Sequence, residues 1–210
     1  MTSHFLLVLF PNVFPPYQHA GVKGRDIMSN LTIFSNFVHS SVANNIQVDT
    51  VYTDQTKAFD RVSHKIFISK MHMYNIPLIL IKWYKNFLAE RVINCKINNI
   101  LSTSFILNCG IPQGSSSSSS LWNIYINDLP DYILNSNILM YADDVKLFKH
   151  ITCEDDVSLL QAELSNFYNW CQMNNLILNE MKSVYISYFN INMKFNNVLP
   201  SLYYINDVNL

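Results

Sequence analysis

Tyr141-Ala142-Asp143-Asp144, held between the apolar runs Ile138-Leu139-Met140 and Val145-Lys146-Leu147-Phe148, constrains this chain more than any other segment. Two strand-like runs around so short a polar break predict a β-hairpin, and its tip carries two adjacent carboxylates. Such carboxylates repel one another unless cations or hydrogen bonds offset the charge, and an oxygen-only donor set suits Mg²⁺ or Mn²⁺. An isolated Asp pair also caps turn amides in ordinary hairpins, so a metal reading needs a third carboxylate. Asp54 is the candidate. It follows Ile46-Gln47-Val48-Asp49-Thr50-Val51-Tyr52-Thr53, whose alternation of β-branched and polar residues predicts a strand, and it precedes a helical pattern that opens near Lys57. On neighbouring strands, Asp54, Asp143 and Asp144 would be placed to hold two metals about 3.5–4 Å apart, the arrangement that serves in-line phosphoryl displacement.

The remaining pattern supplies a scaffold for that hairpin. Val62 to Tyr74 and Leu78 to Glu90 read as helices broken at Asn75-Ile76-Pro77, and Val92 to Ile97 with Ser104 to Asn108 read as a hairpin around Asn98-Asn99. Trp122 to Ile133 reads as a helix, as does Asp155 to Met173, where Val157, Leu160, Leu164, Phe167, Trp170 and Cys171 form an apolar stripe behind an acidic first turn. Leu176 to Leu178 and Val184 to Ile186 read as closing strands. Together these predict an α+β domain, an antiparallel sheet with helices packed on one face and the carboxylates on the open one.

Composition narrows the function classes. Half of the 210 residues are hydrophobic and 13% are aromatic, which supports a buried core and argues against disorder. Fourteen Lys and Arg against 15 Asp and Glu leave a formal charge of −1, so affinity for a phosphate backbone is expected to be weak unless Lys82, Lys85, Arg91 and Lys96 form a local basic groove. Phe5 to Phe10 is too short for a membrane span, lacks a basic flank and ends at Pro11, and is expected to be a buried or edge segment. No membrane partner and no secretion are expected; the nucleus or cytoplasm is. Cys95, Cys109, Cys153 and Cys171 lie far apart, as reduced thiols do rather than a disulfide frame or a zinc site.

Four blocks in order resemble the reverse transcriptase of LINE-type (non-LTR) retrotransposons: Val51-Tyr52-Thr53-Asp54-Gln55-Thr56-Lys57-Ala58-Phe59-Asp60-Arg61-Val62, Gly110-Ile111-Pro112-Gln113-Gly114-Ser115, Tyr125-Ile126-Asn127-Asp128-Leu129-Pro130, and Tyr141-Ala142-Asp143-Asp144. Gln18-His19 with Lys23-Gly24-Arg25 upstream, and Trp170-Cys171, Asn174, Leu178-Asn179 and Lys182 downstream, extend the resemblance from about Gln18 to about Tyr188. It implies an RNA-directed DNA polymerase palm that takes an RNA template, a DNA primer and a dNTP, with Mg²⁺ or Mn²⁺ as cofactor. It further implies Asp54 and Asp143 as metal ligands with Asp144 beside them, Phe59 as the bulky filter under the sugar, and Gln113 and Gly114 as nucleotide and template contacts. Lys182 matches a lysine that assists pyrophosphate departure, and Arg25 matches a substrate-binding position. By pattern alone, Phe59 and Trp170 read as core, Asp60 as a local cap, and Lys182 and Arg25 as solvated charges.

One departure stands out. After Gly114 the chain reads Ser115 to Ser120 and then Leu121-Trp122, where relatives carry a Leu-Gly-Pro element and an apolar helix start. The spacing from Gln113 to Tyr125 is preserved, so residues were replaced and not inserted. Serine competes for backbone hydrogen bonds and opens helices poorly, so the tract is expected to soften the loop. The expected organisation is an N-terminal remnant over 1–17, a palm with partial fingers over 18–188, and a tail over 189–210 too short for a thumb. Two readings stay open: a working polymerase palm, and a catalytically inactive remnant that at most binds nucleic acid or a protein.

Overall fold

The structure is a computed structural model that describes residues 16–115, 117–191 and 201–210. The expectation for Phe5 to Phe10 lies outside the described residues. At the centre is a four-stranded antiparallel sheet in the order β6-β7-β1-β8, made of β1 (Gln47–Thr53), β6 (Asn137–Tyr141), β7 (Asp144–Ile151) and β8 (Val184–Tyr188). β1 lies between β7 and β8 and is buried along almost its whole length, which is why its β-branched residues Val48, Thr50, Val51 and Thr53 suit it. Asp49, fully buried in that strand, is satisfied by three donors: Gln47 Nε2 at 2.9 Å, Ser187 Oγ at 2.7 Å and Tyr203 Oη at 2.8 Å.

Most of the helices cover one face, as the pattern predicts. The connections in sequence order are α2 (Ala58–Arg61), α3 (His64–Met73), α4 (Leu78–Leu88), α5 (Ser118–Ile126) and α6 (Glu154–Met173). Leu160, Leu164, Phe167, Trp170 and Cys171 recur at helical spacing along α6, and they share one core with Val51, Ile138, Met140, Val145 and Leu147 of the sheet. Glu154, Asp155 and Asp156 occupy the first turn of α6, where the helix dipole favours anions, and Asp156 Oδ2 accepts from the Thr152 amide at 2.9 Å and hydroxyl at 2.7 Å. Lys70 of α3 is buried and ion-pairs with Asp128 at 2.6 Å, where Trp170 Nε1 also donates at 3.2 Å, so this polar node locks α3 and α6 together.

The second face was not foreseen. Helix α1 (Ile27–Ala43) crosses it and buries Phe34, whose ring meets Tyr52, Phe148 and Tyr188 edge-on at centroid separations of 6.1, 5.3 and 5.9 Å. Phe37 stacks on His150 at 4.4 Å further along the same helix. The start of α1 is marked by Asp26, which accepts from the Ser29 amide at 2.7 Å while the Ser29 hydroxyl returns a contact to the Asp26 amide at 2.9 Å. Beyond that cap its buried positions are only Asn30, Phe34 and Ser41, two of them polar, so no apolar stripe announces it.

Other boundaries shift for identifiable reasons. The expected strand Leu176 to Leu178 does not join the sheet. Asn175 takes a left-handed φ of 55°, and Leu176 and Leu178 turn into the core, leaving one isolated bridge from Leu178 to Gln55. The hairpin expected over residues 92–108 divides into two ribbons, β2 (Arg91–Ile93) with β5 (Phe105–Leu107), and β3 (Lys96–Ile97) with β4 (Ile100–Leu101) around Asn98-Asn99, both at positive φ. The helix expected from Trp122 to Ile133 ends at Ile126 and is followed by a 3₁₀ turn, Leu129–Tyr132, with Pro130 near its start. Residues 201–210 add the hairpin β9 (Tyr204–Ile205) and β10 (Val208–Asn209), which buries Tyr203 and Ile205 against the main core.

The second half of the serine tract, Ser118 to Ser120, is helix. Ser118, Ser119 and Ser120 form the first turn of α5, Ser118 and Ser120 are buried, and the Ser118 hydroxyl donates to the Pro112 carbonyl. The weakness expected of serine shows elsewhere: Ser117 makes no side-chain cap, and the buried Ser120 hydroxyl has no partner among the described residues. Ser120→Ala removes that unpaired hydroxyl and raises helix propensity, so it should stabilise the chain by about 1 kcal/mol in urea unfolding.

Candidate active site

The register of β1 against β7 assembles the carboxylates. Thr53 pairs with Val145, and Thr53 Oγ1 donates to the Val145 carbonyl at 3.0 Å, so Asp54 and Asp144 are the next residues outward on adjoining strands. Tyr141 pairs with Asp144, which leaves a two-residue loop of Ala142 and Asp143 at the hairpin tip. Ala142 sits at φ +55°, in the left-handed region that alanine occupies at a cost of roughly 1–2 kcal/mol. The loop is therefore held by its surroundings and not by its own preference.

Those surroundings reach the backbone. Gln18, fully buried, donates from Nε2 to the Ala142 carbonyl at 3.3 Å and accepts at Oε1 from the Ala142 amide at 3.1 Å. Gln55, also buried, donates from Nε2 to the Asp143 carbonyl at 3.2 Å. The Asp54 carbonyl accepts from the Asn179 amide at 2.7 Å, and the Asp54 amide meets Ser183 Oγ at 3.4 Å. Pattern reading identified none of these supports as such. Gln18 entered only through the upstream resemblance, because an amide side chain that serves a distant backbone leaves no periodic signal.

Electrostatics follow the geometry. Burial, and then the charge of Asp54, raise the Asp143 pKa above the ordinary carboxylate value, with a backbone hydrogen bond opposing them. Asp144 is likewise raised by burial, then by Asp143 and Asp54, with Lys146 opposing. The three carboxylates thus feel one another. Lys146 lies over the Phe34 ring at 4.3 Å and the Tyr52 ring at 5.5 Å, and burial depresses its pKa although Asp144 pulls the other way.

The other expected residues fall into two groups. Lys182 is exposed, and its Nζ is 4.0 Å from Asp54 Oδ2, so it reaches the carboxylate cluster. Phe59 lies half-buried just after Asp54, packs against the main core and stacks on Trp122 of α5 at 4.9 Å. Gln113 is exposed, with Nε2 donating to Asp60 Oδ1 at 3.1 Å, and Gly114 takes φ +82° with nothing within 4 Å of where a Cβ would stand. A side chain there would be strained by its backbone, and the open space lets another molecule approach the main chain. Arg25 stands apart from the carboxylates: its Nη1 donates to the Gln18 carbonyl at 2.8 Å, within the loop that holds Ala142. Of the basic residues considered for a groove, Lys82, Lys85 and Lys96 are exposed on α4 and the ribbon after it, and Arg91 is half-buried.

A sheet of this topology, backed by helices and carrying carboxylates at the ends of adjoining strands, is the palm of a reverse transcriptase. Solved structures of similar fold include apo telomerase from Candida tropicalis truncated from its C-terminal domain, at TM-score 0.66 and 12% identity over 89% of this chain and 39% of that one. The Candida albicans telomerase in complex with a fragment of telomeric RNA matches at TM-score 0.64 and 12% identity, over 88% of this chain and 34% of that one. In sequence, the chain is 24% identical over 180 residues to a probable RNA-directed DNA polymerase from transposon BS of Drosophila melanogaster, covering 82% of this chain and 20% of the relative. It is 26% identical over 163 residues to the RNA-directed DNA polymerase from mobile element jockey of the same organism, covering 74% and 18%. A transposon TX1 protein of Xenopus laevis matches at 26% over 192 residues, 81% of this chain and 14% of that one. The chain belongs to the reverse transcriptase (RNA-dependent DNA polymerase) family, whose model matches residues 2–197. It spans a fifth or less of the length of these transposon-encoded relatives.

That family requires a divalent metal. Among the described residues no three His, Cys, Asp or Glu side chains converge as a closed metal-holding group. An open carboxylate set still fits a hard divalent cation that keeps several waters and is held by one or two carboxylates together with substrate phosphates. The raised affinity of Asp143 and Asp144 for protons is the strain that such a cation would relieve.

The same strain gives a stability test. A carboxylate whose pKa is raised by folding stabilises the fold below its unfolded value and loses that contribution as pH climbs through the folded value. At pH 7, without metal, charged Asp143 and Asp144 should therefore weaken the fold. Asp143→Asn with Asp144→Asn should raise the melting temperature by about 1–3 °C at pH 7, with the gain shrinking toward pH 4, as read by thermal denaturation.

Proposed function

We propose that this chain forms the palm and part of the fingers of an RNA-directed DNA polymerase that extends a DNA primer on an RNA template. The observation that carries the reading is the placement of Asp54 beside the Asp143-Asp144 hairpin on paired strands, with Lys182 in ion-pair reach. Asp54, Asp143 and, more loosely, Asp144 would hold Mg²⁺ or Mn²⁺. When bound, such cations supply charge stabilisation for the attacking and leaving oxygens of an in-line displacement.

The chain's own groups have distinct tasks in that reaction. The primer 3′-hydroxyl attacks the α-phosphate of a dNTP, the bond to the β-phosphate breaks, and pyrophosphate departs. Lys182, exposed and at the edge of ion-pair range from Asp54, donates a proton to the departing pyrophosphate. Phe59, braced on Trp122, offers a ring edge against the sugar and disfavours a 2′-hydroxyl. Gln113 and Gly114 present a side-chain amide and an open stretch of backbone to the incoming nucleotide and the template base. Template binding by this chain rests on family membership and on the palm fold it shares with telomerase, since its net charge of −1 provides little general attraction for phosphate.

Primer extension on poly(rA)/oligo(dT) with Mg²⁺ or Mn²⁺ tests the reading. Incorporation by the purified chain should fall at least about 1000-fold in the Asp143→Ala, Asp144→Ala double variant, in line with loss of charge stabilisation at the reacting phosphate. A folded chain with no incorporation above that variant would make it an inactive relative of the polymerases it resembles.

A further inference from the structure

The acidic hairpin is built around a residue that should not hold its own shape. Ala142 has φ +55° at the first position of a two-residue loop, a place where glycine is the ordinary occupant. Both backbone polar groups of Ala142 are taken by one side chain, since Gln18 Oε1 accepts from its amide at 3.1 Å and Gln18 Nε2 donates to its carbonyl at 3.3 Å. The reach spans 124 residues of sequence.

Gln18 is itself fixed from several directions. Its Oε1 also accepts from the Ala20 amide at 2.9 Å, and its carbonyl accepts from Arg25 Nη1 at 2.8 Å. The segment carrying it runs alongside β6, with Met140 donating to the Tyr17 carbonyl at 2.9 Å and the His19 amide donating to the Met140 carbonyl at 3.0 Å. From α5, Asn123 Nδ2 donates to the Ala20 carbonyl at 2.9 Å. A fully buried amide with so many anchors is a rigid template for the peptide it touches.

We infer that Gln18 is a positioning residue: it clasps the Ala142 peptide in its left-handed turn and thereby sets the aim of Asp143 and Asp144 toward a shared divalent cation. The inference deepens the polymerase reading and rests on it. Gln18 touches neither substrate nor metal. It acts through the backbone, as outer partners of metal ligands do.

The test is Mn²⁺ binding to the full chain, followed by the electron paramagnetic resonance signal of free Mn²⁺, with cooperative unfolding measured on the same samples. Gln18→Leu should weaken Mn²⁺ affinity by about 10–100-fold while the chain stays folded, and Ala142→Gly added to it should restore most of the affinity, because glycine holds φ +55° without help. Simple loss of packing at Gln18 would not be repaired by a glycine in the hairpin. Should Gln18→Leu fail to fold, Gln18→Glu carries the test. It keeps the acceptor and adds a negative charge that by itself would tighten cation binding, so weaker binding reports the lost donor. Unchanged or tighter Mn²⁺ binding in a folded Gln18 variant, or no recovery with Ala142→Gly, overturns the role of Gln18. Failure of the unsubstituted chain to bind Mn²⁺ overturns the metal-dependent polymerase reading and this inference with it.

Discussion

Everything in the site depends on the register of β1 against β7. Side chains alternate faces along a strand, so a slip of one residue would send Asp54 and Asp144 to opposite sides of the sheet. The register is pinned because both faces are buried. Val51 and Leu147 belong to the helix-covered core, whereas Val48 and Phe148 pack under Phe34 of α1 on the other side. Neither set can exchange with the other without exposing apolar area or burying the Tyr52 and Lys146 pair that lies beneath the same ring. Packing energy far from the carboxylates thus fixes where they stand.

The second theme is how a protein gathers negative charge without neutralising it in advance. Asp143 and Asp144, whose proton affinity burial and neighbouring carboxylates raise, would relax away from Asp54 if the chain were free to move. Here the restraints fall on main-chain atoms: Gln18 on Ala142, Gln55 on the Asp143 carbonyl, and the Asn179 amide on the Asp54 carbonyl. Those contacts hold the peptides and leave carboxylate oxygens available to a cation. Lys182, at the edge of ion-pair range and largely in solvent, is the kind of partner that can be displaced.

What the sequence reveals follows from this division. The hairpin and the strand before Asp54 were legible because alternation and a polar break are local signals, and the α6 stripe was legible because five buried apolar residues recur at helical spacing. Helix α1 escaped because its buried positions include Asn30 and Ser41, and its cap uses Ser29 where Glu or Gln would be the familiar sign. The segment Leu176 to Leu178 was misread because an apolar run looks the same whether it joins a ladder or simply dips into the core. Ser118 to Ser120 misled in the opposite sense, since burial between neighbours stabilises a helical turn that serine alone would not.

Gly21 and Ser119 add a final consequence. A Cβ on Gly21 would come within 2.7 Å of the Ser119 Cβ, so the loop that follows Gln18 lies directly on the first turn of α5. The acidic tip is therefore shimmed by the smallest side chains in its neighbourhood, and its alignment is a tolerance problem as much as a chemical one. Counting aspartates in such a chain says whether the reagents are present. Whether they meet depends on a stack of close contacts running from α5 through the 18–21 loop to Ala142, and drift in any layer of that stack could silence the site while every acidic residue remained in place.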